Sequence, residues 1–181
     1  ESTVASGAAE EEIIEKIENE INKSFHIHVS VRICNMDISN FYNPGRRQYD
    51  ANMILKVISE MAITEPVKII GLLRVDLFIP ILTYIFGQAT LGGKVAIASL
   101  YRLRNELYGM DANAELLIDR FSKVVIHELG HAFGLIHCLD PLCIMRSSTY
   151  VEDIDQKELE FCTSCRNELD VRSLQYLNPV D

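Results

Sequence analysis

His127-Glu128-Leu129-Gly130-His131-Ala132-Phe133-Gly134-Leu135-Ile136-His137 decides how the rest of the chain is read. Residues four apart on an α-helix lie only about 40° apart around its axis, so His127 and His131 present two imidazoles to one point. Glu128 leaves the same helix from the adjacent strip. From there a carboxylate reaches a water held at that point without becoming a ligand, as a general base must. Gly134 ends the helix, because a residue without Cβ takes positive φ at no steric cost, and the chain turns back so that His137 meets the same ion from another side. Three neutral nitrogens leave a zinc ion one open position, the mark of a catalytic site, whereas a structural site is closed by a fourth protein ligand. His127, His131 and His137 are the expected catalytic-zinc ligands, Glu128 the expected base, and Gly134 the supporting turn residue.

The motif ends a long amphipathic segment. Asp111 or Asn113 caps it, and Leu116, Leu117, Phe121, Val124, Val125, Ala132 and Phe133 supply its apolar stripe. A packed helix holds ligands more rigidly than a loop, so His127 and His131 form the fixed half of the site and His137 the adjustable half.

Upstream, Ile13, Ile14, Ile17 and Ile21 recur at helical spacing within Glu10 to Asn22. Alternation from Phe25 to Ile33 predicts a strand with His26 and His28 on one face and Ile27 and Val29 on the other, neither histidine being a ligand. Asn43-Pro44-Gly45 marks a loop, and Tyr49 to Ala62 reads as a helix packing Ile54, Leu55, Val57, Ile58 and Met61. After Pro66, the nearly continuous apolar run Val67 to Leu73 predicts a central parallel strand covered on both faces. One or two strands follow within Leu77 to Ala89, and Leu91-Gly92-Gly93 is a tight turn into Lys94 to Leu100. Strands and helices ahead of the active-site helix give an α/β (α+β) layer, followed by a small Cys-rich remainder.

Of the five cysteines, Cys138 and Cys143 form C-x4-C and Cys162 and Cys165 form C-x2-C beside the histidines. In a reducing compartment this spacing reads as a closed four-thiolate structural zinc site, giving two zinc ions per chain; two disulfides are the alternative in an oxidising one. Cys34, set among Val29, Val31 and Ile33, is expected to be a buried inert thiol.

Taken together, the histidine motif followed by Cys138, Cys143, Met145, Cys162 and Cys165 resembles the pattern of archaemetzincins, a metzincin subfamily of zinc peptidases. That pattern spans Val124 to Cys165. The Tyr42-Asn43-x-x-Arg46-Arg47-Gln48-Tyr49 and Phe86-Gly87-x-Ala89-x-Leu91-Gly92-Gly93 stretches are also similar to that family, extending the likeness over most of the chain. The resemblance implies a single metzincin-like catalytic domain over 1–181, with an upper subdomain of about 1–137 and a Cys-rich lower subdomain of about 138–181. It further implies a twisted mixed sheet whose lowest strand runs antiparallel at the cleft edge, and Met145 in a tight turn beneath the zinc. We assign the edge strand to about Tyr84–Thr90, with Val95–Leu100 as second choice. Ser147, Ser148 and Tyr150 are placed by position to line a side-chain pocket.

Seventeen basic against twenty-six acidic side chains give a formal charge of −9, which repels nucleic acid and anionic membrane surfaces and leaves a peptide or protein substrate. Lys68, Arg74, Asp76 and Pro80 interrupt the most apolar stretch, so no membrane span is expected. No signal peptide is visible, although the chain begins at Glu1 rather than Met; a cytoplasmic monomer is expected. The leading functional reading is a zinc metallopeptidase of narrow specificity. The alternatives are a zinc-dependent peptide-binding protein and a hydrolase of non-peptide amides.

Overall fold

The computed structural model describes residues 4–61 and 68–177. Its centre is α3, Ala114–Ala132, in which the side chains from Arg120 to Gly130 are all buried. Asn113, rather than Asp111, caps it: the Asn113 side-chain oxygen accepts the Leu116 N–H at 2.9 Å, satisfying one of the amides that a helix start leaves free. Arg120 anchors the helix sideways. Its guanidinium reaches Asp155 at 2.6 Å, the Leu103 carbonyl at 2.9 Å and the Asn105 side chain at 2.8 Å, so a buried cation has its donors satisfied.

A three-stranded sheet lies over α3 in the order β3 (Ile69–Leu73), β6 (Val95–Ser99), β5 (Gly87–Ala89). Every residue of β6 is buried, whereas β3 is only partly covered and Leu72 is exposed. The central place expected for Val67 to Leu73 therefore belongs to β6, and β3 is an edge among the described residues; Pro66 and Val67 lie outside them. The small Ala96 and Ala98 of β6 alternate with Val95 and Ile97, and the latter two pack against α2, Ala51–Met61. That helix starts two residues later than expected because Asp50 serves as its cap, accepting the Asn52 N–H at 2.9 Å. Ile54 and Leu55 are buried as expected; Met61 is exposed, and Ala62 lies outside the described residues.

β5 pairs antiparallel with β6 through the Leu91-Gly92-Gly93 turn, with Gly92 at φ 64°, so the first-choice edge assignment holds. A second small sheet orders β1 (Tyr42–Asn43), β2 (Gln48–Asp50) and β4 (Leu77–Phe78). One antiparallel bridge, Leu77 to Ile85, joins it to the segment entering β5.

The isoleucine stripe forms part of α1, Val4–Phe25, whose Ile17 and Ile21 are buried in the core that α3 shares. The strand expected from Phe25 to Ile33 does not form. Phe25 closes α1 by stacking on Phe133 at 5.0 Å, and His26 then takes φ 56°, which redirects the chain. Ile27 and Val29 still turn inward while His26 and His28 face solvent, but no strand pairs with them among the described residues. Without a partner the alternation fades, Ile33 is 93% exposed, and Cys34 is exposed rather than buried. After α3 the chain forms α4 (Val151–Asp155) and α5 (Thr163–Leu177); Cys138 and Cys143 lie in the loop ahead of α4, Cys162 just before α5 and Cys165 in its first turn.

Candidate metal centres and the cleft edge

The last turns of α3 bring His127 and Glu128 into the core and leave His131 half-buried. At the helix end the Leu135 N–H bonds the Gly130 carbonyl at 2.9 Å and the Gly134 N–H bonds the His131 carbonyl at 2.8 Å, a Schellman closure. Gly134 holds φ 95°, and a Cβ there would also meet the Arg172 guanidinium at 2.6 Å. The reversal delivers His137, exposed on the cleft side, to the two helical imidazoles. The coordinating nitrogens of all three histidines lie within 4.8 Å of one another.

The chemistry of this donor set fits a cation. His127 donates from Nδ1 to the Ile144 carbonyl at 2.8 Å, and His131 from Nδ1 to the Leu135 carbonyl at 2.7 Å, since a carbonyl only accepts. With those protons fixed, both Nε2 atoms carry lone pairs, and they face each other at 3.1 Å. Two lone pairs repel at that distance unless a positive charge sits between them. Burial holds all three imidazoles below their ordinary pKa, helped by the nearby Lys157 ammonium, so they are in the neutral form that metals require. Burial also pushes Glu128 up to about 8, against the downward pull of Lys157.

Met145 is fully buried beneath this turn of α3, and its thioether occupies the space that a Cβ on Gly130 would need. Gly130, passed over in the sequence as one of the unspecified motif positions, is thus a close-packing requirement. Lys157 was equally unmarked. Its buried ammonium donates to the carbonyls on either side of Met145, Arg146 at 2.8 Å and Ile144 at 3.3 Å, and burial pushes its pKa down to about 8. Ser147, Ser148 and Tyr150 lie on the segment from Met145 to α4, with Tyr150 exposed.

The second group is formed by Cys138, Cys143, Cys162 and Cys165, whose sulfurs also lie within 4.8 Å of one another. All four are free thiols; Cys138 and Cys162 are 3.8 Å apart, against about 2.05 Å for a disulfide, so the disulfide alternative is not formed. Backbone amides of Asp140 and Cys162 point at the Cys138 and Cys143 sulfurs at 3.4 Å, an arrangement suited to thiolates. Burial pushes the Cys143 and Cys165 thiols up, while the Cys165 amide pulls Cys162 down. Four convergent sulfurs fit a closed tetrahedral metal site. The Cys138 N–H bonds the Met145 carbonyl at 3.0 Å, joining this group to the turn under the histidines.

Above the histidines runs β5. The Ser99 N–H bonds the Phe86 carbonyl and the Thr90 N–H bonds the Val95 carbonyl, so residues 86, 88 and 90 address β6. By alternation, the amide groups of Gly87 and Ala89 face the free edge. A Cβ on Gly87 would meet the Glu128 side chain at 2.7 Å, which puts the carboxylate directly beside that edge.

A three-histidine centre on a helix, closed by a glycine turn, floored by a methionine and roofed by a strand edge, defines a metzincin-like zinc metallopeptidase. The family model for Peptidase family M54 matches residues 11–171. An archaemetzincin of Sulfolobus acidocaldarius is 36% identical over 154 residues, covering 84% of this chain and 85% of that protein. One from Pyrococcus horikoshii is 40% identical over 139 residues, covering 75% and 74%. Among solved structures, a zinc-dependent peptidase from Methanocorpusculum labreanum superposes with a TM-score of 0.79 at 30% identity, over 93% of this chain and 96% of that one. The archaemetzincin of Methanopyrus kandleri gives a TM-score of 0.78 at 30% identity, over 97% and 89%. The chain belongs to peptidase family M54, the archaemetzincins.

Proposed function

We propose that Glu128 is the general base and acid of a peptide hydrolase whose catalytic zinc is held by His127, His131 and His137. The observation that carries this reading is the placement of Glu128, buried beside the Gly87 edge and one residue from a neutral, lone-pair-presenting His127. A zinc ion in this donor set supplies a Lewis acid for the scissile carbonyl and acidifies the attacking water. Glu128 takes the proton from that water on a carboxylate oxygen and passes it to the leaving amine nitrogen. The outward amides of Gly87 and Ala89 bond an extended peptide that runs antiparallel to β5, fixing the scissile bond over the carboxylate.

We further propose a second, structural zinc held by Cys138, Cys143, Cys162 and Cys165. It stabilises a lower subdomain of about 138–181 against an upper one of about 1–137, within one catalytic domain. Free thiols favour a reducing compartment, which supports a cytoplasmic location, and we assign the active form as a monomer without nucleic-acid or membrane partners. No helix among the described residues is long and apolar enough to cross a membrane. Narrow specificity is expected of a peptidase that shares its compartment with unfolded chains. The test is digestion of a mixed-length peptide library by native and Glu128→Gln protein, read by mass spectrometry. Cuts made only by the native protein support the reading; peptides bound equally by both proteins and cut by neither favour the binding-protein alternative.

A further inference from the structure

We infer that the cleft is closed where the carboxyl end of the substrate lies, so that the enzyme releases short C-terminal fragments of roughly two or three residues. The inference rests on the peptidase reading and on antiparallel binding to β5. A peptide antiparallel to a strand running Gly87 to Ala89 has its amino side at Ala89 and its carboxyl side at Gly87, heading for Tyr84. The reacting centre is level with Gly87, because Glu128 lies against that residue.

Two features obstruct the path beyond it. First, the free edge ends: the chain bends at Phe86, and the Ile85 N–H before it is already bonded to the Leu77 carbonyl at 3.0 Å. Second, Tyr84 spans from the upper rim to the segment after Met145, donating its hydroxyl to the Thr149 carbonyl at 3.1 Å.

Both sides of that span are held. The Tyr84 ring lies between the Arg102 guanidinium, 4.6 Å from its centroid, and the edge-on Phe86 ring at 5.6 Å. Arg102 is itself fixed by Asp76 at 2.8 Å. On the lower side, the Asp153 carboxylate accepts the Thr149 and Tyr150 N–H groups, each at 2.8 Å. Three residues from Gly87 to Tyr84, bent at Phe86, cover at most about 10 Å, which is room for roughly two or three substrate residues. The opposite end of β5 runs out to the exposed Thr90 and Leu91. In the reaction, water adds across the peptide C–N bond, leaving a new carboxylate on the retained chain and a free amine on the short fragment.

The test uses the zinc-loaded protein and one peptide library in three forms: uncapped, capped by biotin–streptavidin at the amino end, and capped at the carboxyl end. Products are sequenced, and binding of each form to Glu128→Gln is measured by competition. Uncapped and amino-capped peptides should lose the same short C-terminal fragments, while carboxyl-capped ones should be cut and bound at least about tenfold less well. Tyr84→Phe, which removes the hydroxyl bond and keeps the ring, should lengthen the fragments and admit carboxyl-capped peptides. Long C-terminal fragments from the native protein, or equal handling of carboxyl-capped peptides, would overturn the closure while leaving the peptidase reading intact. Product lengths unchanged in Tyr84→Phe would overturn the role of the hydroxyl. Peptides neither cut nor bound in any form would remove the peptidase reading and this inference with it.

Discussion

His137 and Cys138 are neighbours in the chain, yet each belongs to a different metal group, and the two groups are built on opposite principles. The histidine group takes two of its members from a buried helix and its third from an exposed turn. Its neutral ligands would leave a bound dication with its full charge, and so electrophilic. The cysteine group gathers sulfurs from a loop and the start of α5, and four thiolates would neutralise the same ion and leave it no vacancy. On the proposed assignment, electrophilicity and stability would fall to separate ions, with the His137–Cys138 peptide bond as the shortest link between the two groups.

The largest way to test that division is Cys162→Ser. Structural zinc sites contribute about 10 to 16 kcal/mol of apparent binding energy in small domains, comparable with the whole stability of a typical fold. The variant should lose order across the lower half and disturb His137 through the Cys138 to Met145 hydrogen bond. Thermal unfolding and metal analysis should show about one zinc fewer and a markedly lower Tm. Glu128→Gln should do the reverse, keeping both zinc ions and Tm while kcat/KM falls by about 10²- to 10⁴-fold. Equal loss of stability in the two variants would merge the roles separated here.

The pH response of zinc uptake should separate the groups next. A ligand that is already neutral releases no proton on binding. Above 6.5, the ordinary imidazole value, the three histidines are already neutral and release no proton themselves, so zinc affinity there should rise only shallowly with pH, through the bound water and the neighbouring Glu128 carboxyl. The Cys143 and Cys165 thiols, held above 9.0 by burial, must each lose a proton, and uptake there should strengthen as pH rises from 6.5 to 9.0. Competition titrations of metal-stripped protein at several pH values measure both slopes. Parallel slopes would mean that the two groups are not chemically distinct.

These differences were unevenly legible in the sequence. The histidines, Glu128 and the cysteine pairs are fixed by local spacing, and spacing on a helix or in a tight loop survives folding almost unchanged. The edge strand was legible because Gly92-Gly93 forces an antiparallel return. The strand at Phe25 to Ile33 was misread because alternation reports one apolar side but not whether a partner strand exists. The centre of the sheet was misread for a related reason: the apolar run at Ile69 to Leu73 outshone the alanines of β6, whose small size is what lets α3 approach. Lys157, Gly130 and Tyr84 were invisible because each acts through a contact distant in sequence, with Ile144 and Arg146, Met145 and Thr149 respectively.

Gly134→Ala probes the link between the two groups. A non-glycine residue at φ 95° costs about 1 to 3 kcal/mol, and the added methyl displaces the Arg172 guanidinium. The turn separates His137 from His127 and His131, whereas all four cysteines lie beyond it together, so zinc affinity at the histidines should weaken while the cysteine group keeps its metal. Chelator competition resolves the two ions. Simultaneous loss of both would show that the turn supports the lower half as a whole.

The smallest expected effect tests whether α3 is the rigid half. Asn113→Ala removes one capping bond, to the Leu116 N–H, at the end of the helix remote from His127. Losing such a cap costs about 1 kcal/mol, enough to lower Tm by a few degrees in a domain of this size. The strain should stay local, because the side chains from Arg120 to Gly130 are buried on all sides and Arg120 is tied to Asp155, Leu103 and Asn105 between the cap and the ligands. Zinc affinity at the histidines and kcat/KM should therefore match the native protein within experimental error. A fall in zinc affinity proportionate to the loss of stability would show that the helix transmits fraying to its far end. His127 and His131 would then be no better fixed than the loop-borne His137.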